Sequence, residues 1–470
     1  MKAIPFLCLL LVPIFSIAQN NENNKNKGSR DKEKGFFYNQ TPVHLYDIIL
    51  ARPTDNAISV SLMANENLTG CISYGVIANQ LEFKTKEVSF EKGQPMVIEL
   101  NKLKANTKYY YQFNYKLGPT TKEESSEVNF FHTQRKSGSS FTFTIQADSH
   151  LDENVSTEMY LKTLNNMATD SPDFLIDLGD TWMTDKYTND FKESEKQYIA
   201  QRYYFGTLCK SAPLFLTLGN HDGEYAKKTK NGTEGNMNEW ATTTRKKYYS
   251  NPLPNGFYTG NKAKVENYYA WEWGDALFIV LDPFALTKTH KEPWQRTLGE
   301  TQYRWLESTL QNSKAKFRFV FVHNLVGGAD NKGIARGGAE AAKFFEWGGL
   351  NSDNTSGFAS NRPGWGNSIH DLFVKYKVNT VFHGHDHFFA KQDLDGIVYQ
   401  LVPQPGSTRY GNINSAKEYG YLNGVIKNAP GYLRVTIEGE KAIVDYFQTS
   451  LDGKYKNKEN LYSYSILPKE

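Results

Sequence analysis

Two kinds of hydrophobic patterning succeed one another along the chain. From about residue 38 to 135, short segments alternate apolar and polar positions: AISVSLMA, CISYGV, KEVSF, MVIEL, KYYYQFNYKL and EVNFFHT, with turn residues between them. A period of two predicts half-buried strands, and its recurrence predicts a small antiparallel sandwich. From residue 141 the apolar runs become nearly continuous: FTFTIQA, DFLIDL, PLFLTL, FRFVFV and NTVFH. These read as strands buried on both faces. Between them, the stretch from Ser156 to Ala168 places Met159, Leu161, Leu164 and Met167 on one stripe. From Glu300 to Leu310, Tyr303, Leu306 and Leu310 recur at three- and four-residue spacing, which predicts a second helix. Strands alternating with helices imply a mainly parallel or mixed sheet covered on both faces. YLRVTIEG, KAIVDYF and YSYSIL read as closing strands, and Arg135 to Ser140 as a hinge between the two regions.

The two ends carry other patterns. MKAIPFLCLLLVPIFSIAQ has a positive start, a short apolar run and the small residues Ser16 and Ala18 before Gln19. This is the pattern of an export leader over residues 1–18, and the run is short for a membrane span. Residues 19–37 are almost devoid of apolar side chains and read as a solvated linker. Three cysteines are present, of which Cys71 and Cys209 lie beyond the leader. They are expected as two separate buried thiols, and no C-x-x-C metal pattern accompanies them. A net charge of +3 offers no electrostatic case for binding nucleic acid or an anionic membrane. An aromatic share of 14% suits a β-rich core.

The chemistry sits at strand ends. Six of the ten histidines fall in or beside Asp148-Ser149-His150, Gly179-Asp180, Gly219-Asn220-His221-Asp222, Val322-His323 and His383-Gly384-His385-Asp386-His387. Each segment follows one of the buried runs, and in open sheets ligands gather where strands deliver their carboxyl ends into loops. Any one of these turns is a weak signal, since a lone strand-end histidine is commonly a satisfied polar cap. Five together, all of metal-ligand types, are a strong one. Alternation along an extended chain would put His385 and His387 on the same side. His44 and His132 stand alone and read as structural or surface residues.

In this order the five blocks, from residue 141 to about 400, resemble the calcineurin-like metallophosphoesterase superfamily, with no ligand position substituted. The resemblance implies a four-layer α/β (α+β) sandwich over 141–450, with helices outside two mixed β-sheets, preceded by the small all-β sandwich of 38–135 and followed by a terminal strand over 451–470. It implies two divalent ions (Zn, Mn or Fe). The first would be held by Asp148, His150, Asp180 and His387, the second by Asp180, Asn220, His323 and His385. A hydroxide bridging the ions would attack phosphorus in line. His221 would act as the acid, with Asp222 either orienting it or capping its turn, and His383 would be a strand histidine of structural role. The expected activity is phosphate ester hydrolysis, most simply of monoesters. Diesters of nucleotides or of lipid and glycerol headgroups, and a non-catalytic adhesion role on a degenerate scaffold, are the alternatives. The expected partner is a small phosphate ester, with no nucleic acid and no stable membrane anchor, in an exported, periplasmic or secreted protein. The oligomeric state stays open.

The run Leu103-Lys104-Ala105-Asn106-Thr107-Lys108-Tyr109-Tyr110-Tyr111 resembles the L-x-x-x-T-x-Y-x-Y of fibronectin type III modules, whose tyrosine closes a corner by bonding back to the chain. An N-terminal module of that kind joined to this catalytic segment is similar in architecture to purple acid phosphatases and related secreted bacterial enzymes. The chain departs from the purple pattern at two positions: Met183 stands where that group has a tyrosine ligand, and His150 where it has glycine. For the substrate, Arg336 is a candidate phosphate clamp. Trp182, Trp347, Trp365 and Tyr410 are candidate pocket walls, although core packing is the commoner fate of such residues. With no phenolate ligand, the iron-loaded protein is expected to show no strong visible charge-transfer band, and an absorption spectrum with an intense band would contradict this reading.

Overall fold

The computed structural model describes residues 41–469 except 153–154, 188–189, 226–236, 289–291, 328–335, 412 and 414. The leader and the polar linker expected at the N-terminus lie outside the described residues. Among those residues no helix is long and apolar enough to cross a membrane.

Two large mixed sheets pack face to face. One has nine strands, in the order Asn460–Ile466, Lys441–Gln448, Gly431–Glu438, Phe141–Gln146, Leu175–Asp177, Leu214–Leu216, Tyr46–Ala51, Ala57–Ala64 and Pro95–Asn101. The other has eight, with Ala276–Val280, Phe317–Val322, Thr380–His383 and Ile397–Leu401 as its parallel centre. Side-chain alternation explains why the central runs are apolar throughout. In Phe317–Val322, Phe317, Phe319 and Phe321 enter the core between the sheets, while Val320 and Val322 enter the layer beneath the helices. The inter-sheet core is largely aromatic: Phe215 stacks on Trp271 with centroids 4.0 Å apart, and Phe321 on Phe382 at 5.3 Å. The predicted helices form as Thr157–Ala168, with Ser156 accepting the Met159 N–H as N-cap, and Glu300–Asn312. They cover opposite outer faces, giving the helix-sheet-sheet-helix layering. Glu195–Cys209 and Met237–Tyr248 join the first of these helical layers.

The N-terminal region is all-β and has a core of its own, from Ile48 to Phe131. The Tyr109 hydroxyl accepts the Lys104 N–H at 2.9 Å, the corner contact expected from the sequence. Its first strands nevertheless serve two cores. Ile48 and Leu50 face the sandwich, whereas Ile49 and Met63 face the helical layer of the catalytic segment. Tyr46–Ala51 adds to the large sheet through a parallel contact between Ala51 and Leu214. The segment expected as a hinge is pinned: Arg135 donates twice to Asp173, at 2.7 and 2.9 Å, and Gly138 N–H donates to Asp275 at 3.1 Å. The terminal strand forms as Asn460–Ile466, an edge of the nine-stranded sheet.

Cys71 and Cys209 are both free and buried, and burial raises the Cys209 thiol well above its ordinary pKa. A thiol reagent should therefore leave both unmodified in the native protein and titrate them only after denaturation. Rapid native labelling would contradict this packing.

Candidate metal centre

Five strand ends converge at one edge, and glycines set how closely their loops approach. A Cβ on Gly219 would lie 2.0 Å from the Asp180 nitrogen, and one on Gly384 would lie 2.8 Å from Asp148 Oδ2. The glycines of these motifs are thus required by their neighbouring loops, not by their own turns alone. The close approach lets backbone N–H groups hold one oxygen of each central carboxylate. His385 N–H donates to Asp148 Oδ2 and His221 N–H to Asp180 Oδ1, both at 2.8 Å. The second oxygen of each is aimed inward.

Those inward atoms form two groups. Asp148, His150 and His387 lie together, as do Asp180, His323 and His385, each set with ligand atoms within 4.8 Å of one another. Around His323 Nε2 stand Asp180 Oδ2 at 3.2 Å, Asn220 Oδ1 at 3.1 Å and His385 Nδ1 at 3.2 Å. His323 Nδ1 sits 2.9 Å from the Leu178 carbonyl, so in the neutral ring Nδ1 is the donor and Nε2 is the nitrogen left to bind an ion. In the first group, Asp148 Oδ1 lies 3.7 Å from His150 Nε2 and 3.4 Å from His387 Nε2. Asp180 Oδ2 also comes within 3.8 Å of His150 Nε2 and so stands between the two groups.

The seven ligand residues expected from the sequence are therefore brought together. Five of them, Asp148, His150, Asp180, His385 and His387, have left-handed backbone with φ between 52° and 78°. Non-glycine residues held there are strained, and such strain collects at functional sites. This changes the reason given for the histidine pair. The strand ends at His383, and His385 and His387 project from a tight turn into different groups rather than alternating along a strand.

The site fits a pair of cations. Asp148 Oδ1 and His150 Nε2 are buried, yet neither has a hydrogen-bond partner. A donor set of carboxylate, imidazole and amide oxygen suits borderline divalent ions. Burial opposes the imidazolium at both His150 and His323. The surrounding Asp148, Asp152 and Asp180 outweigh it and lift them to about 9 and about 10, so the cluster favours positive charge strongly. His383 is buried, which lowers its pKa to about 3, and its ring lies parallel to Tyr421.

His221 lies outside both groups, its ring centroid 6.1 Å from that of His150. Its Nδ1 is 2.8 Å from Asp185 Oδ1. Burial lowers its pKa, but Asp180 and Asp185 together raise it above the ordinary value. Asp185 thus orients His221, and of the two roles expected for Asp222 the structure shows the turn cap. The Asp222 carboxylate is fully buried and accepts from four backbone N–H groups, those of Asp180, Thr181, Trp182 and Gly219.

The expected pocket walls are placed elsewhere. Trp182 is 1% exposed and stacks on Tyr198 at 4.3 Å. Trp347 and Trp365 are buried in the outer hydrophobic layer of the eight-stranded sheet. Tyr410 stacks on Tyr455 and donates to the Thr449 carbonyl. Arg336 is near the centre but paired with Asp386 at 2.6 Å and packed over Tyr419. Met183 is fully buried, and its position offers no phenolate. Sequence reasoning missed Asp185, Asp152 and the helix glutamines Gln197 and Gln201. The only available signal was a pair of amides four residues apart within an otherwise apolar helix face.

Known proteins resemble the chain in family and in fold. The calcineurin-like phosphoesterase family profile matches residues 141–389. Among solved structures, PhoD superposes with a TM-score of 0.64 at 15% identity, covering 90% of each chain. The purple acid phosphatase PPD1 of yellow lupin (Lupinus luteus) seeds superposes with a TM-score of 0.58 at 14% identity, covering 89% of this chain and 74% of its own.

Gly219→Ala should destabilise the fold by about 1–3 kcal/mol, the usual penalty of overpacking, and should also weaken zinc binding. Thermal melts that match the wild type would show that the loops do not depend on this contact.

Proposed function

The chain belongs to the calcineurin-like phosphoesterase family, and from that premise we propose that it is an exported phosphomonoesterase working with two divalent ions of zinc, manganese or iron. The observation that carries the reading is the Asp180 carboxylate, one oxygen fixed by the His221 N–H and the other shared between two groups of ligand atoms. Asp148, His150 and His387 would complete one ion's ligands, and Asn220, His323 and His385 the other's. When bound, the ions supply Lewis acidity and an activated water for attack on phosphorus.

The remaining work falls to the chain's own side chains. His221, held by Asp185 and bound to neither group, is the residue to protonate the leaving oxygen. Asp222 acts through the turn it clamps, keeping Asp180 in its left-handed backbone. His221 is about a quarter exposed and His387 more than a third, so the substrate would enter on their side of the site. A monoester dianion gains more from two cations than a diester monoanion does, which supports the monoester choice. Export rests on the leader pattern of residues 1–18, and the fibronectin-like reading of 38–135 on its separate core and tyrosine corner.

The test is a panel of aryl phosphate monoesters and diesters, assayed after the metals are removed and then after zinc, manganese, iron or calcium is restored. Higher kcat/KM on monoesters is expected, with activity lost on metal removal. His221→Ala should lower kcat by about 10²–10⁴-fold, the usual contribution of acid-base catalysis. A diester preference would overturn the monoester assignment. Full activity in the metal-free protein would overturn the reading as a whole.

A further inference from the structure

The helix Glu195–Cys209 touches the metal centre on one side and the N-terminal β region on the other. Toward the centre, Gln197 accepts the Met183 N–H at 2.7 Å and donates to the Leu151 carbonyl at 3.0 Å. One turn on, Gln201 donates to Ser149 Oγ at 2.8 Å and to the Thr181 carbonyl at 3.1 Å, and accepts the Tyr160 hydroxyl at 3.2 Å. All four loop residues flank ligands: Ser149 and Leu151 bracket His150, and Thr181 and Met183 follow Asp180. Both glutamines are fully buried. Their amides cross-link the two loops whose backbone is held in the left-handed region at Asp148, His150, Leu151 and Asp180. Such backbone persists only where its surroundings over-determine it.

The residue after Gln201 faces the other way. Arg202 is fully buried and donates to Asp47 Oδ1 at 2.6 Å, to Ser61 Oγ and the Ser61 carbonyl at 3.1 Å each, and to the Tyr248 carbonyl. Asp47 and Ser61 belong to the paired strands Tyr46–Ala51 and Ala57–Ala64. A guanidinium with this many buried acceptors fixes both the rotation and the height of its helix, because each donor direction is set by the planar fork.

We infer that Gln197 and Gln201 are positioning residues for the metal centre, and that the N-terminal β region is part of the same device. Through Asp47 and Ser61 it locks Arg202, which sets the helix that holds the ligand loops. The inference rests on the metal-centre reading. It gives the N-terminal region a role within the site's architecture that requires no external partner.

The test is zinc affinity of the full chain, measured by competition with a chromophoric chelator at a temperature where circular dichroism shows every variant folded. The double variant Gln197→Ala/Gln201→Ala should lose affinity by about 10–100-fold, as is usual when the residues supporting metal ligands are removed. Asp47→Asn should weaken zinc binding in the same direction, and Ser61→Ala serves in its place if Asp47→Asn does not fold. Leu310→Ala, a cavity in the opposite outer layer, is the control for plain destabilisation and should bind zinc as the wild type does. If the glutamine and Asp47 variants melt earlier but bind zinc with wild-type affinity, as the control does, the helix is only structural and the inference is overturned. If the wild type itself takes up no zinc, the metal-centre reading fails, and this inference fails with it.

Discussion

The rest of the centre depends on how two carboxylates divide their oxygens. Asp148 and Asp180 each give one oxygen to a backbone N–H of a neighbouring loop and turn the other inward. That division fixes the direction of the inward oxygen without using a cation to do so. It is possible only because Gly219 and Gly384 let the loops come within contact of the aspartates. The glycine and aspartate parts of these motifs are therefore one interaction seen from two strands. A side chain at either glycine would displace a carboxylate.

The cost of this arrangement is carried by the surrounding fold. Four buried carboxylates, Asp148, Asp152, Asp180 and Asp222, a cluster of imidazoles and several left-handed residues are unfavourable unless rigid elements hold them. The structure supplies those elements in layers. A dense aromatic core between the two sheets fixes the strand ends, the Asp222 carboxylate gathers three N–H groups of the Asp180 turn and one of its own loop, that of Gly219, and two helix amides join the turn to the His150 loop. His221 and Asp185 sit at the less buried edge of this frame.

Much of this was legible in the sequence because its causes are local. Continuous apolar runs marked strands buried on both faces, and Phe317 to Val322 shows why, with phenylalanines to one core and valines to the other. The seven candidate ligands were legible because each sits at or just beyond the end of such a run. What could not be read was set by contacts between distant segments. Nothing near Asp185 in sequence says that it meets His221, and Asp222 was the nearer carboxylate in the chain but lies behind the turn. Trp182 was expected as a pocket wall, yet the Tyr198 ring takes it into the core. The N-terminal segment reads as a sandwich of its own. The two-faced use of Ile48, Ile49 and Leu50 became visible only once strand 46–51 was found beside strand 214–216.

The central claim is that one carboxylate, Asp180, serves two cations. Anomalous diffraction at the zinc absorption edge, from crystals of the zinc-loaded protein, tests it most directly. The account predicts two peaks, one among Asp148, His150 and His387 and one among Asn220, His323 and His385, with Asp180 Oδ2 in contact with both. A single peak, or two peaks of which only one touches Asp180, would contradict it.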